Sequence, residues 1–235
     1  RITMSKHCRI LALILSLTTL FCALPALGDG LPEAFSVTYK TEDRFVNHKR
    51  GFVSKEHIAA ANPAVASEIN ALVDAYDEQY APALKASDNP KRNSRLDIHV
   101  VHSVTGTKWV SFLVLARQSY ARKQLSSPFT ARAYDMDTGR QLVLTDVVQD
   151  TPEAWDILST AVREQLSAYF PNEEANVDTL NRLCSREGLL NTPFMLTPAA
   201  LTLHYEASAL YPGHPTLMRV TVYYSALAGV LTDEA

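Results

Sequence analysis

The chain has 235 residues, 47% of them hydrophobic and 20% charged, which is ordinary for a globular protein and enough to bury a core without covalent staples. Twenty-two Lys and Arg stand against 25 Asp and Glu, and this balance excludes the basic face that a nucleic-acid binder needs. No segment is long and apolar enough to predict a stable membrane span once the leader is set aside.

That leader is residues 1–28. Met4 reads as the start, with Lys6, His7 and Arg9 as a basic n-region and Ile10–Cys22 as an apolar h-region. Such a run is too short for a bilayer, which needs about 20 apolar residues. Ala26-Leu27-Gly28 then places small residues where a signal peptidase reads, so the segment is expected to be a cleaved secretory signal. An uncleaved membrane anchor is the rival reading. Lipidation at Cys22 is disfavoured, because the residue before it is Phe21. Cleavage removes Arg1, Lys6 and Arg9 and no acid, which leaves 19 basic residues against 25 acidic and a net charge of −6. The protein is expected to be secreted or periplasmic. Cys8 and Cys22 leave with the signal, and Cys184 remains as a single buried thiol with no disulfide partner.

In chain order, Phe35–Thr41 alternates as a half-buried strand does, and Phe45–Val53 reads as a weaker one. Asn62-Pro63 is a helix start, and Val65, Ile69, Leu72, Val73, Tyr76 and Tyr80 follow as one apolar stripe up to Pro82. Arg95–Val104 and Lys108–Tyr120 are strands joined by a turn at Gly106. The second is apolar on both faces in its middle and is expected to be central. Ala121–Ser127 reads as an exposed loop. Phe129–Met136 and Arg140–Leu144 are expected to form a hairpin about Asp137-Thr138-Gly139.

Asp150 or Thr151 caps the next helix, whose face carries Trp155, Leu158, Val162, Leu166 and Tyr169. Glu173–Glu187 is expected to be a third helix closed by Gly188. Phe194–Leu196, Leu201–Glu206 and Leu217–Tyr223 are strands, Leu210–Pro215 a rigid loop, and Tyr224–Leu231 the start of a helix. Together these predict an α+β fold, a largely antiparallel sheet with helices inserted between strand hairpins. An N-terminal subdomain would span residues 29–127 and a C-terminal one 128–235.

No catalytic constellation emerges, and neither a metal site nor a cofactor is predicted. His99 and His102 lie three apart on a strand and so face opposite ways. His204 and Glu206 share a face, but two ligands are not a metal site and a solvated polar face explains them as well. Asp135–Gly139 begins like a calcium loop, yet the twelfth position, where the pattern needs glutamate, is Asp146, with apolar Leu142 and Leu144 intervening, and a plain turn is expected.

From Ala133 onward, AYDMDTGRQLVLTDVV and then FMLTPAALTLHYEASALYPGHPTLMRVTVYYSAL resemble the C-terminal domain shared by RsiV-type anti-sigma factors and PdaC-type peptidoglycan deacetylases. The upstream part, with Asn70 in SEINALVDAY, is similar to their companion N-terminal domain, and the resemblance covers nearly all of residues 35–231. It implies a non-catalytic extracytoplasmic binding or sensing module, with a lysozyme-like protein or peptidoglycan as partner. The deacetylase motifs of paired aspartates and histidines are missing. A glycine-rich loop common in the family is replaced by ARKQLSSP at Ala121–Pro128, and no binding residue is carried over. From the residues themselves, the loops Ala121–Pro128 and Glu206–Pro215 are the expected contact surface, with Tyr120, Arg122, Tyr211 and His214 as candidate binding residues. The alternatives are an envelope hydrolase with a site assembled from scattered residues, or an accessory domain of a larger wall-modifying enzyme.

Overall fold

A computed structural model describes residues 36–46, 51–84, 94–121 and 123–233, all within the compact unit Glu33–Ala235. The signal segment and Arg122 lie outside the described residues. The fold is α+β, as expected. Strands β1 (Val37–Val46), β2 (Gly51–Ala60), β3 (Ser94–Thr105), β4 (Trp109–Tyr120), β5 (Lys123–Ser126) and β6 (Phe129–Asp135) form the first sheet. Strands β7 (Phe194–Leu196), β8 (Ala200–Glu206) and β9 (Leu217–Tyr223) form a second, antiparallel one. Among the described residues, no helix is long and apolar enough to cross a membrane.

Helix α1 (Pro63–Tyr80) follows β2 and carries the chain across to β3, which therefore runs parallel to β2. The Asn62 side chain accepts from the amides of Ala64 and Val65, and Pro63 opens the helix where its missing N–H costs nothing. Val65, Ile69 and Val73 repeat every four residues and are buried against Leu96, Ile98 and Val100 of β3 and Val110, Phe112 and Val114 of β4. The helix gives way to a single 3₁₀ turn at Ala81–Ala83, which contains Pro82.

Strand β4 is central. It pairs with β3 along its whole length, and on its other side with β6 from Trp109 to Leu115 and with β5 from Gln118 to Tyr120. Val110, Phe112, Val114 and Ala116 enter the α1 core, while Trp109, Ser111 and Leu113 point the other way, and all seven are buried.

Four helical segments follow β6: α2 (Leu144–Val147), α3 (Pro152–Ser167), α4 (Val177–Cys184) and α5 (Arg186–Leu190). Thr151 caps α3 through Ala154 N. Trp155, Leu158, Val162 and Leu166 of α3 are buried in a second core with Leu201, Leu203 and Tyr205 of β8. The short α6 (Ala207–Leu210) joins β8 to β9. Ser111 links the sheets: its hydroxyl, fully buried, accepts from the Leu196 amide at 2.9 Å.

The structure departs from the sequence reading at several places. The arm Arg140–Leu144 is not a strand; only a bridge from Tyr134 to Gln141 remains, and Leu144 opens a helical turn. The Asp146 carboxylate accepts from Val143 N there and stabilises that turn. Residues 123–126 of the expected loop form β5. The predicted helix Glu173–Glu187 is two helices broken at Ser185, which caps the second through Gly188 N. Gly188 lies inside α5 rather than closing a helix. A Cβ on it would stand 2.1 Å from the Arg182 carbonyl oxygen, so the tight break requires glycine. Tyr224–Ala226 is only a 3₁₀ turn. Strand β2 extends to Ala60, well past the expected Val53. Residues 129–135, assigned from sequence to the C-terminal subdomain, hydrogen-bond to β4 of the first sheet.

Candidate binding site

The segments Ala121–Pro128 and Glu206–Pro215 are distant in sequence, and the fold brings them together. The Ser127 hydroxyl donates to the Pro215 carbonyl at 3.1 Å, and the Gln124 amide donates to the same oxygen. Between them lies a hollow of about 230 Å³ walled by Tyr80, Ser126, Pro128, Glu206 and Ser208. A larger hollow of about 480 Å³ lies on the other side of Glu206, which walls both. Phe129, Leu183, Pro193 and Ala209 supply its apolar surface, and Arg182, Glu187 and Asn191 its polar rim.

His204 lines this larger hollow and is the main correction to the sequence reading. It does not lie on a solvated face; it is 2% exposed and sits against the Phe129 ring. Its Nδ1 has no hydrogen-bond partner. Burial, reinforced by the positive charge of Arg219 opposite on β9, pushes its pKa down to about 4. The imidazole is therefore neutral at physiological pH. Tyr205 points to the helix side, where burial pushes its hydroxyl far up and leaves it without a partner.

Of the predicted binding residues, Tyr120 is half-buried at the end of β4, beside Lys123 of β5. Tyr211 is wholly buried and cannot meet a partner through its ring; its hydroxyl donates to Leu166 O at 2.6 Å and closes the C-terminus of α3. His214 is half-buried and fixes the loop. Its Nε2 lies 2.8 and 3.0 Å from the two carboxylate oxygens of Glu173, and its ring stacks 4.0 Å from that of Phe170. Sequence reading missed Gln124 and Ser127, because a serine-rich polar stretch carries no signal of a tie to a remote carbonyl.

The remaining candidates resolve into structure. His99 faces Glu56 at 3.2 Å, while His102 on the opposite face hydrogen-bonds Tyr39. Asp135 makes a plain turn, accepting from the Asp137 and Thr138 amides at 3.0 Å each. Cys184 is buried, and burial pushes its thiol up, away from the reactive thiolate. On β2 and α1, burial alone would raise the Asp74 carboxyl, but hydrogen bonds from Lys55 and His57 hold it below its usual value. Among the described residues, no three His, Cys, Asp or Glu side chains group as metal ligands.

No family model matches the sequence, and no curated protein does. The structure is similar to solved ones. A DUF3298 family protein from Pseudomonas aeruginosa PAO1 superposes with a TM-score of 0.59 at 16% identity, over 87% of this chain and 97% of that one. A member of the same family from Bacteroides fragilis NCTC 9343 gives a TM-score of 0.50 at 11% identity, over 85% and 95%. At these identities the likeness is one of fold.

Proposed function

We propose that the chain is a secreted, non-catalytic binding or sensing module of the bacterial cell envelope, with a lysozyme-like protein or peptidoglycan as its partner. The observation that carries this reading is the pinning of the β5 segment to the Pro215 carbonyl, which holds two remote loops as walls of the smaller hollow, beside a larger one that shares Glu206 with it. A rigid concave surface with mixed apolar and polar walls is what recognition without chemistry requires. The signal segment and the resemblance to RsiV- and PdaC-type domains support the extracytoplasmic setting, and the fold likeness to DUF3298 structures is consistent with it.

The test is thermal unfolding of the purified protein with and without excess lysozyme, and separately with soluble peptidoglycan fragments. A ligand present at 100 times its dissociation constant and binding only the folded state adds about 2.7 kcal/mol, which for a domain of this size raises the midpoint by several degrees. An unchanged midpoint with both would remove these partners. The second reading, an envelope hydrolase, draws on the neutral His204 imidazole sharing a hollow with Glu206. Turnover of the fragments by the pure protein, abolished in Glu206→Gln, would favour it.

A further inference from the structure

Strand β8 outruns its neighbour. Strand β7 pairs only with Leu201, Thr202 and Leu203, and the last bond on that side runs from the His204 amide to the Pro193 carbonyl at 2.9 Å. Tyr205 and Glu206 continue as strand, paired with Met218 and Leu217 of β9 on the opposite side. On the β7 side the chain has turned away through Asn191 and Thr192 into α5, and the 480 Å³ hollow lies beside this end of β8.

Backbone direction alternates along a strand. The His204 amide points to the β7 side and the Ala207 amide to the β9 side, where it donates to Thr216 O. The Glu206 amide, two residues after His204, therefore points into the hollow. The His204 ring lines the same space, 2% exposed, with Nδ1 making no hydrogen bond. A buried polar atom left without a partner is costly, and its presence beside a cavity calls for a group that arrives with the ligand.

We infer that this hollow receives an extended peptide segment, which lies along the open edge of β8 in the line vacated by β7 and hydrogen-bonds to the Glu206 backbone and the His204 ring. This rests on the binding-module reading and names the chemistry of its ligand. A peptide strand offers amide donors and acceptors at the spacing of a sheet edge, and alternate side chains enter the flanking walls. Phe129, Leu183 and Pro193 are those walls here. Arg182, Glu187 and Glu206 all line the hollow, so the site selects no strong charge. The volume lies within the range of ordinary ligand pockets, roughly 300–1,000 Å³.

The experiment is selection of a phage-displayed random heptapeptide library on the immobilised protein, followed by synthesis of the enriched sequences. Enriched peptides should bind the parent protein and lose at least about tenfold in Ala209→Trp, which fills the hollow from an exposed position of α6. His204→Phe, which keeps the ring and removes its nitrogens, should weaken them by roughly fivefold, the worth of one hydrogen bond. No enrichment over an unrelated control protein would overturn the inference, as would peptides that bind Ala209→Trp as well as the parent. Tetra-N-acetylchitotetraose, run in parallel, reports the glycan alternative; its binding in the hollow with no peptide enriched would also overturn the peptide assignment. Lysozyme or peptidoglycan binding that survives Ala209→Trp would leave the module reading standing while placing its partner elsewhere.

Discussion

The Asn62 side-chain amide donates to the Met136 carbonyl 3.0 Å away, while its oxygen caps helix α1. One side chain thus fixes the start of the helix and the turn after β6, although 74 residues separate the two positions. Gly139, at φ +74, lies close enough that a Cβ would stand 3.0 Å from the Asn62 amide nitrogen. Asn62→Ala should lose about 1 kcal/mol for the cap and about 1 kcal/mol for the tie, lowering the unfolding midpoint by roughly 4–8 °C. Asn62→Asp should keep the cap and lose only the tie. Equal losses from the two variants in thermal melts would show that the tie alone matters.

Stability should depend on pH through His204. Its folded pKa, lowered by burial and by Arg219, lies below its unfolded value. Between about 6.5 and about 4 the unfolded chain holds a proton that the folded chain refuses. His204 therefore contributes in full above pH 6.5, and its contribution is lost as pH falls through that window, by about 3 kcal/mol in total. Urea unfolding at pH 7.5 and pH 4.5 should show a smaller pH dependence in His204→Phe than in the parent. An identical pH dependence would mean that the imidazole is protonated in the folded protein.

The link between the sheets rests on one hydroxyl. Ser111→Ala leaves the Leu196 amide without its acceptor in a buried position. The expected loss is about 1–3 kcal/mol, read from the urea midpoint. Amide exchange should quicken at Leu196 ahead of β3, and exchange unchanged at Leu196 would contradict this.

Tyr211→Phe separates structure from recognition. The hydroxyl donates to the Leu166 and Ser167 carbonyls and meets no solvent. Its removal should cost about 1 kcal/mol of stability and leave affinity for any partner unchanged. A loss of affinity without a loss of stability would return Tyr211 to the binding surface.

What the sequence made legible followed from local rules. Asn62-Pro63 and Pro82 bounded α1 because caps and prolines act on their own segment. The two-faced apolar run of β4 announced a central strand, and the Leu217–Tyr223 strand was read to its ends. Long-range effects were not legible. The expected strand ended at Val53, yet β2 continues through Lys55 and His57, where Lys55 meets Asp74 and Asp77 of α1 and the His57 ring hydrogen-bonds Asp74. Leu142 and Leu144 alternated like a strand, but Asp146 folds that stretch back on Val143. At the candidate site, the polar type of His204 suggested exposure, but the fold buries it and sets the Phe129 ring of the other sheet against it, a long-range contact with no local signal.

The division of one side of β4 between two successive partners has a consequence for cutting the chain. Strand β5 holds β4 through three paired positions and β6 through seven, with the Pro128 carbonyl accepting from Ala116 N where one gives way to the other. A protease cut within residues 123–126 would release the shorter grip and leave the longer one zipped. The two pieces would stay together as a nicked molecule, and they could be expressed separately and reassembled on mixing. The β5 segment is thus the natural place to split this fold into complementing halves.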